Sequence, residues 1–217
     1  MALTSYAELQ DFIQARFNDT GSLTDAVVAD CITMGEALIN EDIRLRGRDM
    51  EATADLSISS QSTSLPSTFI GAIRLYLDKD PKKPLLQYPR TDFYHRYGSS
   101  QTATPEIFTI EGSNLIVAPA PNSTVTGKLL YYSKSNISSS VPALFTNHPH
   151  LFVYAASIFA ADYLDDDRQV SKCASMFDTL ADKYQQGSKR DRYMGPLVQR
   201  NDINPSFREE LRSYASS

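Results

Sequence analysis

The apolar residues of this chain keep two different rhythms, and the place where the rhythm changes limits the fold more than any other feature. Up to about residue 49, and again from about residue 141, they recur every three or four positions, as the buried stripe of a helix does. Between Met50 and about Asn136 the texture is different. Short runs rich in aromatic and branched residues alternate with polar ones and are cut by Gly, Pro, Asn and Ser, the signature of half-buried strands and their turns.

At the N-terminus, Ser5-Tyr6-Ala7-Glu8 has the form of a capping box, and Leu9, Phe12, Ile13 and Phe17 follow at helical spacing before Asn18 to Gly21 closes the segment. A second box, Ser22 to Asp25, opens a helix whose expected stripe is Val27, Cys31, Met34 and Leu38. In the middle, the stretch after Met50, Phe69 to Asp78, EIFTI and LIVAPAP around a Glu-Gly-Ser-Asn turn, and Gly127 to Asn136 read as strands, with Thr91 capping one helical turn. Asn147 and Pro149 then predict a helix start, Asp165 to Asp167 its end and the cap of the next, and Val170, Cys173, Phe177, Leu180 and Tyr184 a final stripe that Gly187 stops. The expected architecture is α+β. A small helical bundle of two N-terminal and two C-terminal helices (1–49 and 141–187) carries an antiparallel β insertion (50–140), and an extended C-terminal arm follows (188–217).

Composition narrows the function. The formal net charge of −5 argues against duplex DNA as the main partner, because neutralising phosphates takes clustered Lys and Arg. The start, MALTSYAELQDF, lacks a basic region followed by an apolar run, so no secretory signal is expected. The longest mostly apolar run, Leu151 to Ala161, is far shorter than the roughly 20 residues of a membrane span. Cys31 and Cys173 lie far apart within helical patterns and read as buried thiols of a reducing compartment.

Catalytic chemistry finds little to stand on. His148 and His150 flank Pro149 at a helix start instead of lying four apart on one face, and Asp165 to Asp167 sit roughly 20 Å away at about 1.5 Å per residue. The metal reading that remains is a His-x-His chelate on a strand-like turn. His95, among aromatics in DFYHRYG, reads as a surface or interface histidine, with a catalytic base as the competing role. Lys189, Arg190 and Arg192 enclose Asp191, which favours a solvated face or a protein contact over phosphate binding. No catalytic residue, metal or cofactor is expected.

The tail reads differently. After Gly187 come Arg192, Tyr193, Met194, Leu197 and Val198, then a third capping box, Ser206 to Glu209, with Phe207, Leu211 and Tyr214 at i, i+4 and i+7. A helix of about ten residues does not persist alone in water. Its stripe needs a surface to cover it, on its own subunit or on a partner chain.

Several stretches, in order along the chain, carry a family resemblance: IRLRGRDME (Ile43 to Glu51), SLPSTFIGAIRLYLD (Ser64 to Asp78), FYHRYG, PEIFTIEGSNLIVAPAP, LLYYSKSNISSS (Leu129 to Ser140) and LFTNHPHLFVYAASIFAADYLDDDR (Leu144 to Arg168). Together they resemble the head-to-tail connector, or adaptor, proteins of short-tailed double-stranded DNA bacteriophages, over about Tyr6 to Leu197. The resemblance implies a structural virion protein, not an enzyme, made in the host cytoplasm and placed in the neck. There it would form a dodecameric ring joining the portal protein to the tail nozzle protein. DNA would pass through without specific binding, past an acidic surface that repels its phosphates. It also implies an arm reaching the portal, with Arg192, Tyr193, Met194, Leu197, Phe207, Leu211 and Tyr214 as its contact residues. The competing functions are another neck or tail-completion protein, a small enzyme using His95 and His148, and a DNA-binding module using Lys189, Arg190 and Arg192.

Overall fold

The computed structural model describes residues 3–18, 21–78, 83–96 and 102–193. Ser5 starts α1 (Tyr6–Phe17) by accepting a hydrogen bond from Glu8 N (3.3 Å), while the Glu8 carboxylate reaches past it to Thr4 N and Oγ1 (2.6 and 2.9 Å). Asn18 ends the helix in the left-handed region, φ 50°, a conformation asparagine tolerates. Thr24, not Ser22, caps α2 (Asp25–Glu41). The buried face of α2 is Val28, Cys31, Ile32, Gly35 and Ile39, rotated from the expected stripe, and Met34 is 43% exposed. Two 3-10 turns, Ile43–Leu45 and Arg48–Met50, carry the chain into the sheet.

Seven strands were built from the middle of the sequence: β1 (Glu51–Ile58), β2 (Ser62–Ser64), β3 (Phe69–Leu77), β4 (Lys83–Gln87), β5 (Ile107–Glu111), β6 (Asn114–Ala118) and β7 (Val125–Ser133), with α3 (Arg90–Arg96) between β4 and β5. They form one sheet in the order β1-β7-β3-β4-β5-β6-β2. The two ends of that order, β1 and β2, are consecutive in sequence, so the sheet curls round into a nearly closed barrel. Every pairing is antiparallel except β4 with β5, which α3 connects as a parallel crossover. Gly112, φ 58°, supplies the positive φ of the two-residue turn between β5 and β6. Leu56, Ile58, Leu75, Leu77, Phe108, Leu115, Val117, Val125 and Leu129 fill the interior, and Phe93 of α3 covers Ile107 and Ala118 in a smaller cluster.

This overturns the expectation of a small helical bundle with an antiparallel insertion. The described residues hold six α-helices, and the sheet is a mixed, seven-stranded, nearly closed unit rather than a small insertion. The reason is β4. Its sequence, KPLLQ, is short, contains Pro84 and follows a Pro-Lys-Lys-Pro turn, so it lacks a strand pattern of its own. It is held by tertiary pairing with β3 and β5.

The chain then returns to helices through α4 (Ala143–Asn147). Asn147 is the last residue of α4 rather than a cap, and Pro149 occupies the first turn of α5 (Pro149–Tyr163). Nearly the whole circumference of α5 is buried, and its Ala155 and Ala156 lie against Gly35. A Cβ at Gly35 would stand 2.7 Å from Ala156 N, so only glycine permits the approach of α2 to α5. Asp166 Oδ1 accepts from Gln169 N (3.0 Å) to start α6 (Asp167–Tyr193), which buries Cys173, Phe177, Ala181 and Tyr184. Gly187 does not stop this helix, since one interior glycine costs only about 1 kcal/mol.

The helices and the barrel are stitched together where β7 leaves the sheet. The Asn40 side chain donates to Ser135 O (3.0 Å) and accepts from Ser135 N (2.8 Å), and Glu36 accepts from Ile137 N (2.5 Å). The chain divides into two units, Met1–Gln185 and Gln186–Ser217; the first holds the helices and barrel up to Gln185, and the last turns of α6 fall in the second.

Candidate interaction surface

Two apolar grooves open on the helical side of the first unit, both beside α6. One is lined by Leu38 and Glu41 of α2, Asp42 and Arg44, Ile158 and Phe159 of α5, and Ala174, Phe177 and Asp178 of α6. Arg44 is its fixed point. The guanidinium makes three bonds to Asp42 (3.1, 3.0 and 2.7 Å) and reaches Asp178 (2.7 Å) and Asp182 (3.0 Å). Those bonds, Asp42 first, raise the Arg44 pKa further above its ordinary value. The rim is acidic because several carboxylates share one cation.

The other groove lies between α1, the start of α5 and α6, lined by Leu3, Phe12, Arg16, Pro149, His150, Val153, Tyr154, Met176 and Leu180. Phe12 and Met176 are 40% and 38% exposed. The Arg16 guanidinium lies 4.7 Å over the Tyr154 ring and 3.5 Å from Cys173 Sγ, and it meets no carboxylate among the described residues.

A third cluster ties α6 to the body close to the end of the first unit. Asp49 accepts from Asn147 Nδ2 (2.7 Å) and Tyr184 Oη (3.1 Å), and His148 Nε2 stands 3.7 Å away with its ring edge-on to Tyr184. Burial, helped by the Asp49 charge, pushes the Tyr184 hydroxyl well above the usual phenol range, which keeps it a donor. His148 therefore packs on Tyr184 at the helix start, with Asp49 close by.

The other residues singled out from the sequence are dispersed. His150 faces the basic groove, His95 is exposed on α3, and Asp165 and Asp166 lie in the turn between α5 and α6, with Asp167 the first residue of α6. Among the described residues no three His, Cys, Asp or Glu side chains converge as a metal ion requires. Lys189 is exposed on α6, and Arg190, Arg192 and Tyr193 fall in its last turns, whereas Met194, Leu197, Phe207, Leu211 and Tyr214 lie outside the described residues. Sequence reasoning missed Phe12 and Met176 as surface residues. It assigned Phe12 to a buried stripe, and the spacing of Lys172, Met176, Leu180 and Lys183 on one side of α6 was the signal that was available.

Apolar grooves with charged rims are surfaces of the kind on which other protein chains dock. The family model for the SU10 adaptor protein matches residues 4–200, and comparison with curated proteins returns no match. The chain belongs to the SU10 adaptor protein family. It is thus a phage adaptor, a structural component of the virion that associates with other virion proteins. No helix among the described residues is long and apolar enough to cross a membrane.

Proposed function

We propose that this adaptor is the head-to-tail connector of a short-tailed phage. Copies form a dodecameric ring in the neck, which joins the portal protein to the tail nozzle protein and leaves a central channel for DNA. The protein acts by docking and not by catalysis. The C-terminal arm, through Arg192, Tyr193, Met194, Leu197, Phe207, Leu211 and Tyr214, contacts the portal, which gives its short apolar stripe a surface to cover it.

The observation that carries this reading is the family match across residues 4–200, which spans the whole described body and enters the tail. The net charge of −5 supports passage of DNA without binding, since repeated around a ring it repels phosphates. An asymmetric cryo-EM reconstruction of the virion tests the proposal. It should show twelve copies of the fold directly beneath the portal, with the C-terminal segment in contact with portal subunits. Density for the fold at the tail tip, or its absence from the particle, overturns the reading.

A further inference from the structure

α6 separates two apolar grooves of opposite charge. Each residue of a helix advances by about 100°, so from the inward-facing Cys173 and Phe177 the positions 174, 178 and 182 turn to one side, and 172, 176, 180 and 183 to the other. On the first side Asp178, Asp182, Asp42 and Glu41 set four carboxylates against the single guanidinium of Arg44. The floor beneath them is Leu38, Ile158, Phe159, Ala174 and Phe177. On the second side Lys172 and Lys183 flank Met176 and Leu180, neither lysine has an ion pair among the described residues, and Arg16 also lacks a carboxylate. Glu8, on the same stripe of α1 as Phe12 and Arg16, is taken up by Thr4.

We infer that these two flanks are the complementary halves of one contact between copies of this chain. The exposed Phe12 and Met176 of one copy enter the apolar floor beside α6 of the next, and Arg16, Lys172 and Lys183 meet Glu41, Asp178 and Asp182. Charge selects a second copy as the occupant, because the same molecule carries both the cationic ridge and the anionic groove. Charge also fixes the geometry. A two-fold dimer through either flank sets like charges face to face, so the contact is head-to-tail, and such a contact repeats until it closes into a ring or extends as a filament. On the connector reading above, it is the lateral contact of the ring.

Two charge-reversed full-length variants test the pairing: K172E/K183E on the basic flank, and E41K/D182K on the acidic flank, the latter leaving Arg44 its bonds to Asp42 and Asp178. Sedimentation velocity at high protein concentration reads self-association, and thermal melts confirm that both variants fold. Each variant alone should associate at least about tenfold more weakly than the native chain, as like charges then meet across the contact. An equimolar mixture should recover association, because each variant retains one native flank and the two altered flanks attract. Native-like association of either folded variant alone, a mixture that stays monomeric, or a native chain monomeric at every concentration overturns the inference. Failure here is distinguishable from failure of the connector reading. Virions that still carry the neck ring when built from a single reversed variant refute only this interface, whereas native virions that lack such a ring refute the connector role.

Discussion

Gly35 offers the most direct measure of how tightly the helical layer is packed. In Gly35→Ala the new methyl group would sit 2.7 Å from Ala156 N and 3.0 Å from both Ala155 C and Ala156 Cα. All three are main-chain atoms of α5, so no side-chain rotation relieves the clash. Reaching an ordinary contact of 3.4 Å requires α5 to retreat by about 0.7 Å, and a gap of that size forfeits a quarter to a half of the dispersion energy along the contact. Overpacking of this kind costs about 1–3 kcal/mol. A clash that only main-chain atoms can relieve belongs at the upper end of that range, so after alanine returns about 1 kcal/mol of helix propensity the net loss is about 2 kcal/mol. For a protein of this size that is a fall in Tm of roughly 4–8 °C. Gly187→Ala is the control, because a Cβ there meets nothing within 4 Å and the substitution keeps its propensity gain. Calorimetry of the two variants against the native chain should show a fall for Gly35 and none for Gly187. A Gly35→Ala protein as stable as the native one refutes the close approach of α2 to α5.

Two further perturbations address the buried polar groups. Burial holds the Glu36 carboxyl above its ordinary value, with the bond from Ile137 N opposing, so the folded state binds this proton more tightly than the unfolded state does. Its contribution to stability is full below the ordinary value of 4.5 and is lost as pH rises through the raised folded value. Glu36→Gln keeps an acceptor for Ile137 and should flatten that decline in urea midpoints followed from acid to neutral pH, and an unchanged slope refutes the assignment; Glu36→Ala should cost about 1–3 kcal/mol by stranding the Ile137 amide. At the third cluster, Tyr184→Phe should cost about 1 kcal/mol and Asp49→Ala about 1.5–3 kcal/mol by chemical denaturation. Adding Tyr184→Phe to Asp49→Ala should cost nothing more through this bond, and additive losses would refute a shared carboxylate.

Local signals were read correctly from the sequence where they act alone, and they failed where partners decide. Ser5 caps α1, the Glu-Gly-Ser-Asn turn joins β5 to β6, and Asp166 starts α6, because each depends only on bonds within four residues. The face of α2 was misread because the contact with α5 decides it: the buried set Val28, Cys31, Ile32, Gly35 and Ile39 is turned by about 100°, one residue on a helical wheel, from the expected stripe, with Cys31 common to both. The strand β4 and the curling of the sheet were illegible, since both come from pairing between segments distant in sequence. The grooves beside α6 were half legible. The charges of its two flanks can be counted from spacing, but the exposure of Phe12 and Met176 depends on where α1 and α5 come to lie.

The order of elements has a consequence for how the chain is made. α1 and α2 leave the ribosome before the sheet and the later helices, yet α5, the helix that covers Gly35 and its neighbours, begins about 110 residues after α2 ends. At roughly 5–20 residues per second, the interval is on the order of 5–20 s. During that time β1 also waits for β7, its hydrogen-bonded neighbour in the finished sheet. A nascent chain in a crowded infected cell therefore holds open an oily seam until α5 has been made, and that interval is when a chaperone has most to protect.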